Sequence, residues 1–236
     1  MTGMIRKATI FVALGLVASS AAMAGIPSPA NCTIPACIKV VGTNSVGVPD
    51  SRGTFTVTVL DIGFNAVVGS LVTLNFTACT DMKVCNVGTV GSLPIVPTVV
   101  CVPAPPSVTV QALTNTSGVA TFTIVGAARH PNTLPFPGPG AGCVVIRADG
   151  YLLGTATALD FDLNGAFGAP GYPGNGVTIL DLPVWLKDWS GGTGPYVGRS
   201  DFNCSGTISI LDLPAWLLVW GPGQSAFGCT GRAYCN

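Results

Sequence analysis

The sequence predicts a mainly β protein in which a β-sandwich is followed by a small helical domain of two loop-helix repeats, and three patterns predict it. Between residues 52 and 158, short apolar runs alternate with polar residues at a period of two, with turn-forming residues between them. Beyond residue 158, two segments repeat each other at helical spacing. All ten acidic residues are Asp, and six of them fall in that repeated region.

Residues 1 to 24 stand outside the predicted fold. Arg6 and Lys7 precede an apolar run from Ala8 to Ala18, and the stretch closes on Ala22-Met23-Ala24, the pattern of a signal peptide cleaved before Gly25. The run is too short to prefer a membrane span, and no later stretch supplies about 18 uncharged apolar residues. The expectation is therefore a secreted protein, extracellular or at the cell surface, without a transmembrane segment after cleavage. Losing Arg6 and Lys7 leaves eight basic against ten acidic side chains, a balance that argues against a nucleic-acid partner. Nine cysteines in an exported chain read as disulfides before metal ligands. Cys32 with Cys37, Cys79 with Cys85 and Cys229 with Cys235 lie close enough to pair locally, and Cys101 with Cys143 could close a longer loop. Spacing does not determine the pairing; Cys204 is the choice for the odd thiol.

Residues 25 to 51, rich in Pro, Gly and small polar side chains, suit an extended lead-in or a first edge strand. From Phe55 to Val59, apolar residues alternate with Thr56 and Thr58, and Val72, Leu74 and Phe76 continue the period after the turn residues Asp61, Gly63 and Asn65. That predicts a strand-turn-strand unit. Val108, Val110 and Ala112 lead through Thr114 to Gly118 into Ala120, Phe122 and Ile124, a second hairpin. Val144 and Ile146 pass through Asp149-Gly150 into Tyr151 to Ala158, and Asp-Gly between apolar runs is a strong hairpin signal. With no convincing helical period among them, these strands imply a β-sandwich over 52–158.

The stretch Phe55 to Phe76, with Gly69-Ser70-Leu71-Val72-Thr73-Leu74, and the later Ser117-Gly118-Val119-Ala120-Thr121-Phe122 resemble the bacterial immunoglobulin-like domains of the invasin and intimin kind. The resemblance implies an immunoglobulin-like sandwich serving as a spacer or adhesive module. Catalysis is not expected. His130, the only His, stands in a Pro- and Gly-rich loop without the companions of a triad or dyad, and the lack of Glu leaves a glycosidase carboxylate pair unsupported.

The repeat spans 159–222 and precedes a Cys-containing tail, 223–236. Val177 to Trp189 and Ile208 to Trp220 match at an offset of 31 residues, Asp181 aligning with Asp212. In each copy apolar side chains recur at helical spacing: Leu182, Trp185, Leu186 and Trp189, then Leu213, Trp216, Leu217 and Trp220. Pro183 and Pro214 suit a first helical turn, and Gly191 and Gly221 suit the stops. With nothing in its own segment to cover it, each stripe is expected to face the other across a pseudo-twofold axis.

Before the second helix, Asp201, Asn203, Ser205, Ser209 and Asp212 fall at positions 1, 3, 5, 9 and 12 of a twelve-residue loop with Gly206 at position 6. This is an EF-hand-type loop. Ca2+ is a hard cation wanting six to eight oxygens, which these side chains and the carbonyl of Thr207 can supply. The first copy opens with Asp160, Asp162 and Asn164 and carries a Gly- and Pro-rich insertion from Ala166 to Gly176. With the insertion bulging outward, Asp160, Asp162, Asn164, Thr178 and Asp181 converge.

A calcium loop followed by one helix, repeated in tandem without an entering helix, resembles the dockerin module of cellulosomal proteins. The resemblance implies a small helical domain stabilised by calcium. It also implies that loop positions 10 and 11, here Ile179, Leu180, Ile210 and Leu211, contact a cohesin-like protein partner. The function expected is a non-catalytic secreted attachment protein docking to a cohesin-like or other cell-surface component. The alternative is an accessory, polysaccharide-binding component of a cellulosome-like catabolic complex.

Overall fold

A run inside the apparent lead-in organises the sheet. Cys37–Val41 (β1) has the sequence CIKVV, and Ile38, Val40 and Val41 are buried, so the strand needs cover on both faces and cannot lie at an edge. In the computed structural model, which describes residues 25–43, 48–85, 89–90, 93–94, 98–103, 106–128, 142–163, 176–191 and 198–220, β1 lies at the centre. The signal-peptide residues, His130, Asn164, Gly221 and the tail lie outside the described residues.

The remaining strands are Thr54–Thr58 (β2), Leu71–Asn75 (β3), Met82–Val84 (β4), Thr89–Val90 (β5), Leu93–Pro94 (β6), Thr98–Pro103 (β7), Pro106–Leu113 (β8), Val119–Ala128 (β9), Val144–Ala148 (β10) and Tyr151–Asp160 (β11). Among the described residues, nine form one sheet in the order β2-β9-β1-β11-β10-β3-β8-β7, with β4 also on β9, while β5 and β6 pair separately. β1 runs parallel to both neighbours, Cys37–Val40 against Thr157–Asp160 of β11 and Val40–Val41 against Ile124–Val125 of β9. It thereby joins two halves that a sandwich would keep as separate ladders, and the sheet curls into a half-barrel.

The immunoglobulin-like sandwich followed by a helical dockerin-like domain is thus corrected on both counts. The continuous ladder through β1 replaces two stacked sheets. The only α-helices among the described residues are Leu182–Trp189 (α1) and Leu213–Leu217 (α2), and their Trp185 and Trp216 belong to the same apolar core as Val40, Phe122 and Ile146 of the sheet.

The local turns form as expected even where the pairing differs. Asp61 Oδ1 accepts from the amides of Gly63 at 2.8 Å and Asn65 at 2.9 Å, yet β2 pairs with β9 and β3 with β8 and β10. Asn115 likewise receives the amides of Ser117 and Val119, but β8 and β9 lie in different parts of the sheet and are not a hairpin. The β10–β11 hairpin is as predicted, with Ala148 opposite Tyr151. Asp149 and Gly150 both hold positive φ, 47° and 86°, as a right-twisted two-residue turn requires.

The disulfides differ from the local pairs expected. Cys37 bonds Cys204 and Cys79 bonds Cys143, with Cα separations of 6.0 and 5.1 Å, while Cys85 is also disulfide-bonded and Cys32 is a free thiol. Neighbours in sequence are carried apart by the strands, whereas Cys37 at the start of β1 meets Cys204 of the second loop, 167 residues away. Such bridges belong to an oxidising compartment.

Candidate functional site

The first loop leaves the sheet at the end of β11, and the second is held to the start of β1 by the Cys37–Cys204 bridge. Asp160 ends β11 opposite Val40, and Ala128 at the end of β9 donates its amide to the Asp162 carbonyl at 3.2 Å. Phe161 and Phe202, each at the second position of its loop, stack at 5.1 Å and are buried. The pseudo-symmetric contact between repeats therefore runs through loop phenylalanines rather than through facing helical stripes.

In the first loop, Asp160, Asp162 and Asp181 are all buried. The Asp162 amide donates to Asp160 Oδ1 at 2.8 Å, and the Gly176 amide donates to Asp162 Oδ2 at 3.1 Å. Asp181 Oδ2 accepts from the Thr178 amide at 2.6 Å while Thr178 Oγ1 accepts from Leu180, so the two residues form a capping box at the start of the helical turn. Asp160 Oδ2 is buried without a hydrogen-bond partner. Burial first, then repulsion from Asp162, Asp181 and Asp81, pushes the Asp160 carboxyl well above the usual range, against the pull of the Asp162 amide. Burial and then Asp181 do the same to Asp162, opposed by the Gly176 amide.

The second loop is more regular. Asp201 accepts from the amides of Ser205 at 3.0 Å and Gly206 at 2.7 Å, and Asn203 Oδ1 accepts from Ser205 at 2.9 Å. Asp212 reaches across the loop to the Asn203 amide at 3.0 Å and caps Ser209 at 2.7 Å. Positions 1, 3 and 12 thus meet, and Ser205 Oγ donates to the Thr207 carbonyl at 3.0 Å. Gly206 sits at φ +84°, the left-handed conformation that the sixth loop position demands. Burial raises the Asp212 carboxyl, with Asp201 adding repulsion against the Ser209 and Asn203 amides.

The oxygen-rich donor set, hard in character, fits Ca2+ in kind. As the side chains stand, no three described His, Cys or Asp groups close into a metal cage, since the carboxylates are turned onto loop amides.

The helical stripes are rotated from the expected ones. The buried faces are Asp181, Val184, Trp185 and Asp188 in the first repeat and Asp212, Trp216 and Val219 in the second; Leu186, Leu217, Trp189 and Trp220 are exposed. Trp189 and Trp220 lie over the buried Trp of their own repeat, with ring centroids 5.2 and 5.3 Å apart. Gly191, at φ +76°, ends the first helix as expected. Ile179, Leu180, Ile210 and Leu211 are 53 to 69% exposed, an apolar pair per repeat pointing to solvent.

One buried group was not foreseen. Asp188 takes Arg199 Nε at 3.0 Å and Nη2 at 2.9 Å, with Ser200 Oγ at 2.6 Å, tying α1 to the segment that enters the second loop. Its signal was a carboxylate seven residues after Asp181, on the face that also holds Trp185. The second repeat has Val219 there. Comparison with family models, with curated proteins and with solved structures finds no match.

Proposed function

We propose that this is a non-catalytic secreted attachment protein in which calcium holds two repeated loops and a protein partner docks on the apolar residues the loops display. The observation that carries the reading is the Asp160 carboxylate. It is buried and has an unpartnered Oδ2 among other carboxylates, an arrangement that a divalent cation would neutralise. Asp160, Asp162, Asn164, Thr178 and Asp181 would hold one ion. Asp201, Asn203, Ser205, the Thr207 carbonyl, Ser209 and Asp212 would hold the other. Ile179, Leu180, Ile210 and Leu211 would meet a cohesin-like or other cell-surface protein, as exposed apolar side chains in duplicate suit a repeated contact.

Calorimetry with Ca2+ on the mature chain tests the metal. Two sites with dissociation constants of about 0.1 to 1 mM are expected for an extracellular module, and no binding heat in chelator-treated protein sinks the reading. Capture of a cohesin-type protein that is lost in a Leu180→Ser, Leu211→Ser variant tests the docking face. The second reading, a polysaccharide-binding component, draws on Trp189 and Trp220, whose half-exposed indoles could stack on sugar rings. Retention on insoluble polysaccharide that Trp189→Ala abolishes would favour it.

A further inference from the structure

We propose that the end of the sheet opposite the first loop is a self-association face, on which two copies of this chain join in a two-fold contact. The inference stands whether or not the loops bind calcium. Leu71, which opens β3, is the register partner of Leu113, which closes β8. The Leu71 amide donates to Asp149 Oδ1 at 2.8 Å and its carbonyl accepts from the Asp149 amide at 3.0 Å, which fixes the Asp149-Gly150 turn and the Tyr151 and Leu152 that follow it. The Asp61 to Asn65 turn is held to the same end, because the Val67 amide donates to the Val59 carbonyl at 3.0 Å while the Val67 carbonyl accepts from Thr114 Oγ1 at 2.6 Å. Asp160, where the first loop begins, lies at the other end of β11 from Tyr151.

On these turns and strand ends Ile62, Phe64, Leu71, Leu113, Tyr151 and Leu152 are all exposed. Phe64 is 72% exposed and sits at φ +62°, a conformation costly for a bulky residue and readily adopted by Gly or Asn. With most of its surface in solvent, the ring gains little inside the chain to offset that strain, which marks it as a residue kept for a contact outside the chain. At roughly 100 Å² per side chain the six supply about 600 Å², and the polar rim with the exposed Asn115 to Ser117 turn brings the face to the ~800 Å² that each partner of a stable interface contributes. Charge selects the occupant. Among the described residues, the charged groups on these turns are Asp61, folded onto Gly63 and Asn65, and the exposed pair Arg147 and Asp149, opposite in sign. A lipid surface would strip water from that pair and offer neither a partner. A two-fold contact instead sets Arg147 of one copy toward Asp149 of the partner subunit and the reverse, so that one patch complements itself. Joined there, the pair would carry its first loops outward at both ends.

The test is sedimentation equilibrium of the full mature chain from about 1 to 100 µM, the range in which an interface of this size should associate. A monomer–dimer equilibrium is expected, weakened about tenfold or more by Phe64→Asn, which suits the positive φ, and by Leu113→Ser, and weakened also by Arg147→Glu. A monomer at every concentration overturns the inference; binding of that monomer to phosphatidylcholine vesicles, lost in Phe64→Asn, would assign the face to a lipid surface instead. A dimer whose affinity is unchanged in both Phe64→Asn and Leu113→Ser overturns it as well, because the contact then lies elsewhere. Should either variant fail to fold by circular dichroism, amide hydrogen exchange of the wild type decides: residues 61–65 and 149–152 must exchange more slowly at high than at low protein concentration, and unchanged exchange overturns the inference.

Discussion

Truncating Trp216 measures how far the repeats and the sheet share one core. Trp216 is 2% exposed and lies in the cluster that runs from the sheet strands into α2, while Trp220, stacked upon it, is 44% exposed. Replacing a core Trp by Ala costs about 3 to 5 kcal/mol through lost transfer energy and the cavity left behind. The stack with Trp220 contributes about 0.5 to 1.5 kcal/mol of contact that also goes. Against this, the indole Nε1–H of Trp216 is buried without a partner, so its removal relieves a desolvation cost of about 1 to 3 kcal/mol. The balance for Trp216→Ala is a loss of about 3 kcal/mol, compared with about 1 kcal/mol or less for Trp220→Ala. Urea unfolding in saturating calcium with disulfides intact, followed by far-ultraviolet circular dichroism and Trp fluorescence together, reads both numbers. A shared core requires the two signals to move in one transition that shifts as a whole. A variant in which fluorescence melts early while the β signal keeps its wild-type midpoint would refute that reasoning, as would equal costs at Trp216 and Trp220.

Breaking the buried Asp188–Arg199 pair by Asp188→Ala should cost about 3 to 5 kcal/mol because Arg199 is left charged and buried, and the double variant with Arg199→Leu should recover part of it in a double-mutant cycle. Replacing Cys37 and Cys204 by Ser should lower stability by about 2 to 5 kcal/mol in non-reducing urea titrations, since the bridge spans 167 residues; an unchanged midpoint would show that the ends are held together without it. In chelator, stability should fall as pH rises from the ordinary carboxylate range into the neutral range. Asp160 and Asp162 have folded-state affinities for protons above those of the unfolded chain, so the native state binds more protons across that window and loses its advantage as they leave. Thermal melts from pH 4 to 8 that rise instead would contradict the burial of these carboxyls.

Features set by neighbours along the chain were legible in the sequence. The Asp61, Asn115 and Asp149-Gly150 turns form through bonds within a few residues. The loop pattern around Gly206 and the helical stop at Gly191 are of the same kind. The positions of β2, β3 and β8 to β11 followed from the period of two, though not their partners, because alternation states which face is buried and says nothing about which ladder covers an edge.

What only the tertiary structure decided is how these pieces share surface. The five residues of β1 carry no turn signal or clean alternation, yet parallel pairing on both sides makes them the strand that turns a sandwich into one curled sheet. Helix orientation escaped for a related reason. In each repeat the more apolar stripe is not the buried one: the packed face holds the loop-closing Asp with Trp185 or Trp216, and Leu186, Trp189, Leu217 and Trp220 are left to solvent. Disulfide partners depend on contacts across much of the chain. A one-dimensional pattern records residue type and spacing, but the meeting of distant residues is fixed only when the sheet closes around its core.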